Sequence, residues 1–218
     1  MAAANRGVFY RPMMQLSRQQ LRQQLRQRRN ALSAREQREA SARLCARLAN
    51  HPTFVRSQRI ALYLANDGEI DATPLLQRAW SMGKQCFLPV LKPGSWNELW
   101  FAPFEAGTLL TPNRYGIEEP RLHHGQHPPA WSLDLVLMPL VGFDTEGNRL
   151  GMGGGYYDRS FAFLRRPRPV HQPRLIGLAH ECQRVDELPC DSWDIPLSEI
   201  ITDRNRYCAE RSSAETAD

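Results

Sequence analysis

The chain has 218 residues, 42% of them hydrophobic and 23% charged, with a formal net charge of +5; this is ordinary globular usage, and the length suffices to bury a core without disulfides or a structural metal. No apolar run approaches the about 18–20 residues of a membrane span, and no apolar signal stretch opens the chain. The five cysteines (Cys45, Cys86, Cys182, Cys190 and Cys208) form no CxxC pair and are odd in number, which argues against a disulfide framework and for reduced thiols in a cytoplasmic protein.

Residues 1–16 read as a flexible extension. Arginines stand at 6, 11, 18, 22, 26, 28, 29 and 35, and the first acidic residue is Glu36. An acid-free, Arg-rich start of this kind resembles an organellar transit peptide, but residues 17 to 32 have a better use as a helix. Ser17 and Gln20 make a capping-box pair, and Leu21 and Leu25 fall four apart on one face. Ser33 and Glu36 repeat the signal for a second helix to about Asn50. RIALYLA (59–65) reads as a buried strand, bounded by Asn-Asp-Gly. Thr73 as N-cap and Pro74 as the first helical residue open a helix to about Met82, stopped by Gly83. QCFLPV (85–90) and ELWFAP (98–103) are strand-like. Residues 105–131 read as an irregular excursion, LDLVLMPLVGF (133–143) as the most apolar strand, residues 156–165 as a helix and RPRPVHQP (166–173) as a linker. RLIGLA (174–179) and DIPLSEIIT (194–202) complete the strands, and the polar tail 203–218 is expected to be disordered. Strands alternating with helices predict one α/β domain over 17–202 with a largely parallel sheet covered on both faces.

Six of the 14 glycines lie between Gly142 and Gly155, in GFDTEGNRLGMGGGYYDR. The segment follows the most apolar strand and precedes a helix, which is where open α/β sheets bind ligands. Glycine lets main-chain N–H groups approach an anion, and a helix N-terminus adds donors, so phosphate is the natural guest. No Gly-Lys-Ser/Thr follows, so this is not a Walker A loop, and the partner acid of a Rossmann fingerprint is missing. A plain surface turn would not need Arg149, Tyr156, Tyr157, Asp158 and Arg159 beside its bends.

The string GNRLGMGGGYYDR resembles the signature of the 5-formyltetrahydrofolate cyclo-ligase family. RxxLRxxxRxxRNALS, LYLANDGEIDATPLL, NRYGIEEP, DLVLMPLVGFD and WDIPLSEIIT match in order, so the resemblance covers about 17 to 202. It implies a three-layer α/β/α sandwich related to ribose-phosphate isomerase and CoA-transferase-like proteins. It also implies ATP-dependent cyclisation of 5-formyltetrahydrofolate to 5,10-methenyltetrahydrofolate through a phosphorylated formyl oxygen. No nucleophilic side chain is required, and the enzyme's task is positional and electrostatic.

By similarity, Arg149, Leu150, Gly151, Met152, Gly153, Gly154, Gly155, Tyr156 and Tyr157 would line the nucleotide phosphates, with Arg149 and Tyr156 catalytic. Met152 to Tyr156 would also touch the folate, together with Leu64, Glu69 and Tyr115. Tyr115 stands where a human-like sequence has tryptophan. Arg18 and Arg22 would reach the ATP phosphates, although the family usually has lysine where Arg18 stands, a point charge in place of a planar fork. Asp158 and Asp194 would hold Mg²⁺, a hard cation that takes carboxylate and phosphate oxygens. The expected partners are the folate and ATP, for a monomer that binds neither nucleic acid nor membrane. His123, His124 and His127 are loosely spaced like metal ligands, but no cysteine or acid close in sequence completes a site, and a solvated loop is the better reading. Two rival readings are an RNA-binding module on the basic helix and a divergent folate- or pterin-binding relative.

Overall fold

The computed structural model describes residues 16–121, 125, 127–165 and 172–208. The expected extension 1–16 except its last residue, His123, His124, most of the 166–173 linker and the tail beyond Cys208 lie outside them.

Two capping boxes open the chain as expected. Ser17 caps α1 (Arg18–Asn30) with Gln20, and Ser33 caps α2 (Ala34–Ala49) with Glu36. The one-turn helix α3 (Pro52–Arg56) then leads into strand β1 (Arg59–Ala61). Helix α4 (Thr73–Ser81) does not use Thr73 as its cap. Ala72 occupies that position, and the Asp71 carboxylate accepts from the Thr73 N–H at 2.9 Å; an aspartate bonding its backbone two residues on competes directly with a threonine cap. Strands β2 (Gln85–Leu91) and β3 (Leu99–Pro103) follow as an antiparallel pair.

The remaining strands are β4 (Leu110–Pro112), β5 (Glu118–Pro120), β6 (Leu135–Pro139), β7 (Gly142–Phe143), β8 (Arg149–Leu150), β9 (Arg174–Ala179), β10 (Glu199–Thr202) and β11 (Arg206–Cys208), with helix α5 (Tyr156–Ser160) between β8 and β9. Seven of them form one sheet in the order β11-β10-β9-β6-β1-β2-β3. Its five central strands are parallel, and both edge strands run antiparallel.

Register separates the two faces. Ile60 lies beside Leu135 and Cys86, Leu137 beside Ile176, and Leu178 beside Ile201. These side chains share one core with Leu44 and Leu48 of α2 and Leu75 and Ala79 of α4. The alternate residues Ala61, Phe87, Val136, Leu175 and Ile200 pack on the other face against Phe161, Phe163, Ile195 and Leu197. Among the described residues this second layer is thin: α5, a 3-10 turn over Ala162–Arg165 and the 195–197 segment.

Several expected elements are shorter than their apolar runs. β1 stops at Ala61, with a last bond from Leu62 N–H to the Phe87 carbonyl at 3.0 Å. The 133–143 run breaks after Pro139, and Gly142–Phe143 leave the sheet to pair with β8. The expected 156–165 helix ends at Ser160, and the 194–202 strand begins only at Glu199, beyond Pro196, which has no N–H to give a ladder. Conversely, the chain beyond Asp203 is not structureless, because β11 pairs with β10 there, and the 105–131 excursion holds the β4–β5 hairpin. Apolar runs report burial, and burial continues where the ladder stops.

Helix α1 crosses the C-terminal end of the sheet. Leu21 and Leu25 pack with Val141, Leu150, Val185 and Leu188 in a third cluster. Gly142 leaves room for the Leu25 side chain, which any Cβ there would strike. Among the described residues, no helix is long and apolar enough to cross a membrane.

Candidate active site

A crevice of about 1030 Å³ opens between α1, the 63–69 turn after β1, the β4–β5 hairpin, the glycine bend 151–155 and the 191–194 loop. It brings together residues from one end of the chain to the other. Arg18, Arg22, Leu64, Glu69, Tyr115, Arg149, Gly151, Met152, Gly153, Gly154, Gly155, Tyr156, Tyr157, Asp158 and Asp194 all line it. Leu150 is the exception among the residues expected there. It is 1% exposed, with its side chain in the cluster beneath α1, because alternation along β8 turns it away from the face that Arg149 presents.

The glycine bend is shaped for backbone contact. Gly153 and Gly155 have φ of +100° and +68°, and a Cβ on Gly154 would sit 2.8 Å from the Tyr156 ring. Among the described residues, no main-chain N–H from Gly151 to Gly155 finds a protein acceptor. Gly151, Met152 and Gly153 are exposed and Gly154 and Gly155 half-buried, so these donors face solvent and stand open to a ligand's oxygens. The bend's carbonyls, by contrast, are held. Arg22 Nε donates to the Gly151 carbonyl at 2.8 Å, and Arg159 Nη1 donates to the Gly154 carbonyl at 2.7 Å. Neither arginine makes an ion pair among the described residues. Burial, and then the neighbouring Arg18 charge, disfavour the charged form of Arg22, so an anion beside it would relieve both. The expected helix-dipole contribution shrinks to that of a single turn, α5.

Arg149 lies under the bend with a side chain only 7% exposed. Its Nη2 donates to Asp158 Oδ1 at 2.6 Å and its Nη1 to the Ile195 carbonyl at 3.3 Å. Asp158 Oδ1 also accepts from the Ile195 N–H at 3.1 Å. Arg18 is likewise committed, to Asp191 at 2.5 Å and Asp194 at 2.9 Å. Burial alone would raise the Asp194 carboxyl; the Arg18 hydrogen bond and the Asp191 N–H outweigh it and hold it below its usual value. These pairs decide what a magnesium ion would find. Asp158 Oδ2 has no protein partner among the described residues, whereas both Asp194 oxygens are engaged. No cluster of three or more metal-ligating side chains exists among the described residues. The donor set fits an ion held by one carboxylate oxygen and by phosphate oxygens, not a preformed protein cage.

At the other wall, Glu69 is half-buried and accepts from the Asn66 N–H at 3.1 Å; burial pushes its carboxyl up to about 7. Leu64 lies beside it, and the Tyr63 hydroxyl below is tied to the Ile70 carbonyl at 2.7 Å. Tyr115 hangs from the hairpin turn, where Asn113 Oδ1 accepts from the Tyr115 and Ile117 N–H groups. Its hydroxyl meets that of Tyr156 at 2.8 Å, with the rings edge to face at 87°. Arg114 donates to the same Tyr156 hydroxyl at 2.5 Å. His127 stacks on Trp100 with centroids 3.6 Å apart and joins no metal-ligating cluster among the described residues.

Sequence reading missed Asp67, Asn97, Arg114 and Asp191 and gave Arg159 no role. Asp67 had one visible signal. It stands before Gly68 in a turn tripeptide, and it adopts φ +50°, where aspartate is among the residues tolerated. Its three partners, Arg26, Arg29 and Asn30, lie about 40 residues away and left no local trace.

The sequence model of the 5-formyltetrahydrofolate cyclo-ligase family matches residues 14–203. The chain is 39% identical over 178 residues to the 5-formyltetrahydrofolate cyclo-ligase of Escherichia coli strain K12, covering 82% of this chain and 96% of that one. It is 29% identical over 191 residues to the enzyme of the same name from Mus musculus, covering 83% and 91%. The structure superposes on the 5,10-methenyltetrahydrofolate synthetase of Aquifex aeolicus with a TM-score of 0.76 and 31% identity, over 93% of this chain and 97% of that one. On the synthetase from Mycoplasma pneumoniae it does so with a TM-score of 0.66, at 27% identity.

Proposed function

The chain belongs to the 5-formyltetrahydrofolate cyclo-ligase family, and on that premise we propose that its crevice binds ATP and 5-formyltetrahydrofolate and closes the folate to 5,10-methenyltetrahydrofolate, releasing ADP and phosphate. The observation that carries the assignment of the phosphate site is the row of N–H groups from Gly151 to Gly155, without protein acceptors among the described residues and flanked by Arg22 and Arg159, two arginines without carboxylate partners among those residues. Backbone donors and guanidinium groups that already face one another need little reorganisation when a polyanion arrives.

In this reading the bend and Arg22 hold the triphosphate, while Leu64, Glu69 and Tyr115 hold the folate across the crevice. The formyl oxygen attacks the terminal phosphorus, the bond to the bridging oxygen breaks and ADP leaves. The second folate nitrogen then attacks the activated carbon, the carbon–oxygen bond to phosphate breaks and the nitrogen's proton goes to solvent. The chain supplies alignment and charge. Arg149, buried below the bend, adds a fixed positive charge, and Tyr156 is positioned by Arg114 and Tyr115. Glu69, with a carboxyl near the midpoint of its titration at neutral pH, accepts from pterin N–H groups when ionised and donates when protonated. Magnesium, when bound, neutralises charge on the phosphate oxygens; Asp158 Oδ2 would hold it, and Asp194 would join only by releasing Arg18. A monomer is the working form in this reading, and five free cysteines fit a cytoplasmic address.

The test is spectrophotometric. The protein mixed with 5-formyltetrahydrofolate should generate the methenyl chromophore only when ATP and magnesium are both present. Folate binding without turnover would favour the divergent-relative reading, and turnover without ATP would sink the phosphoryl-transfer mechanism.

A further inference from the structure

The β2–β3 connection, residues 92–98, lies outside the crevice lining, yet it touches the glycine bend. Asn97 Nδ2 donates to the Gly154 carbonyl at 2.8 Å, the same oxygen that accepts from Arg159 at 2.7 Å. Asn97 itself sits at φ +58°, a left-handed conformation that asparagine tolerates better than most residues. A second tie lies two residues on, where the Leu99 N–H donates to Ser160 Oγ at 2.8 Å and Ser160 Oγ donates to the Tyr156 carbonyl at 2.8 Å. The hairpin therefore clasps the bend and the helix that follows it.

A trans peptide is planar, with its C=O and N–H pointing in opposite directions, and none of the described peptides is cis. Whatever fixes the Gly154 carbonyl therefore also fixes the Gly155 N–H. Gly155 has φ +68° and no side chain to resist rotation about its own backbone bonds. Without an anchor, this peptide would turn freely between orientations, and an N–H that must be oriented anew loses affinity for its guest. Of the two donors on that carbonyl, Arg159 lines the crevice and Asn97 lies outside it.

We propose that Asn97 is a positioning residue for the nucleotide. Through the Gly154 carbonyl it orients the Gly154–Gly155 peptide so that the Gly155 N–H meets a phosphate oxygen, and it shares this role with Arg159. This rests on the phosphate-site assignment made above.

Two variants separate the side chain from its backbone conformation. Asn97→Gly keeps the left-handed residue and removes the donor. Asn97→Asp keeps the shape and places an acceptor against a carbonyl. For the full chain, ATP affinity is read by calorimetry without folate, and the KM values for ATP and folate are read from the chromophore assay. A Gly155 N–H that is no longer oriented forfeits about one net hydrogen bond to the phosphate, about a fivefold weakening. In Asn97→Gly the ATP Kd and KM should each rise about fivefold, with the folate KM unchanged and the melting temperature lower by no more than about 4 °C, and Asn97→Asp should weaken ATP at least as much. Because both donors act on one oxygen, Asn97→Gly combined with Arg159→Ala should weaken ATP by less than the product of the single effects. Unchanged ATP affinity in an active protein overturns the proposal. So does a fall in melting temperature with equal changes in both KM values, which would make Asn97 a fold residue only. A wild-type protein that forms no chromophore with ATP would instead indict the functional reading itself.

Discussion

The two halves of α1 carry the same residue at nearly the same spacing and do opposite work. In the C-terminal half, Arg26 and Arg29 are consumed by the protein. Arg29 is fully buried, donating to the Asp67 carbonyl at 2.8 Å, the Asp67 carboxylate at 2.7 Å and the Leu140 carbonyl at 3.2 Å. Hydrogen bonds from Arg26, with Asn30 and Arg29 adding to them, hold the Asp67 carboxyl down at about 2. In the N-terminal half, Arg22 faces the crevice and, among the described residues, holds only a carbonyl, while Arg18 is divided between two aspartates at the rim. Guanidinium chemistry is constant along the helix. The loop brought opposite each turn decides whether the group locks the fold or waits for an anion.

If that division holds, the largest effect belongs to Arg29. Arg29→Met removes three hydrogen bonds at about 1 kcal/mol each, about 3 kcal/mol in all, although Arg26 and Asn30 still hold the Asp67 carboxylate and Gln183 the Leu140 carbonyl. For a chain of this size that is a fall of roughly 6–12 °C in melting temperature, read by calorimetry; an unchanged melting point would show that Arg29 is no lock. Arg22→Ala should do the reverse. The ATP KM should rise about tenfold, equivalent to about 1.4 kcal/mol, with the melting temperature and folate KM near wild type. An effect seen only on the folate side would place the phosphates elsewhere.

Glu69 marks the far wall and offers a test by pH. Its folded carboxyl is raised to about 7 by burial, against an ordinary value of 4.5. Between those two values the folded state holds more protons than the unfolded chain, so this group makes stability fall as pH rises through the window. Glu69→Gln should remove that slope. The variant should match wild type near pH 4.5 and melt higher than it at pH 8, while its folate KM rises. Parallel melting curves across the range would contradict the buried-acid assignment. The smallest effect is expected for Arg18→Lys. An ammonium keeps the charge beside Asp194 and loses the fork shared with Asp191, so the ATP KM should shift only about two- to threefold, in keeping with partly exposed pairs worth under about 1 kcal/mol. A tenfold change would make the Arg18 fork part of the nucleotide site proper.

Much of this frame was legible in the chain. Ser17 with Gln20 and Ser33 with Glu36 announced their helices because a cap is satisfied within one turn. The glycine bend announced itself because glycines beside arginine, tyrosine and aspartate have few other uses. Leu150 could not be told from its neighbours, since a resemblance marks a segment and not the face of a two-residue strand. Asn97 and Arg114 were invisible for a different reason, and Asp67 showed its turn but not its partners. Asn97 acts on a carbonyl 57 residues later, and Arg18 finds Asp191 across 173.

Local chemistry set the caps, the apolar strands, the bend and, through ordered motifs, the family. Those depend on neighbours a few residues apart, where spacing already implies contact. Folding chose which carboxylate each arginine would meet, which oxygen of Asp158 stayed open, and how far Glu69 would be driven from its ordinary titration. Those outcomes depend on distances between groups remote along the chain and on the water excluded between them, quantities that come into existence only when the sheet closes beneath α1.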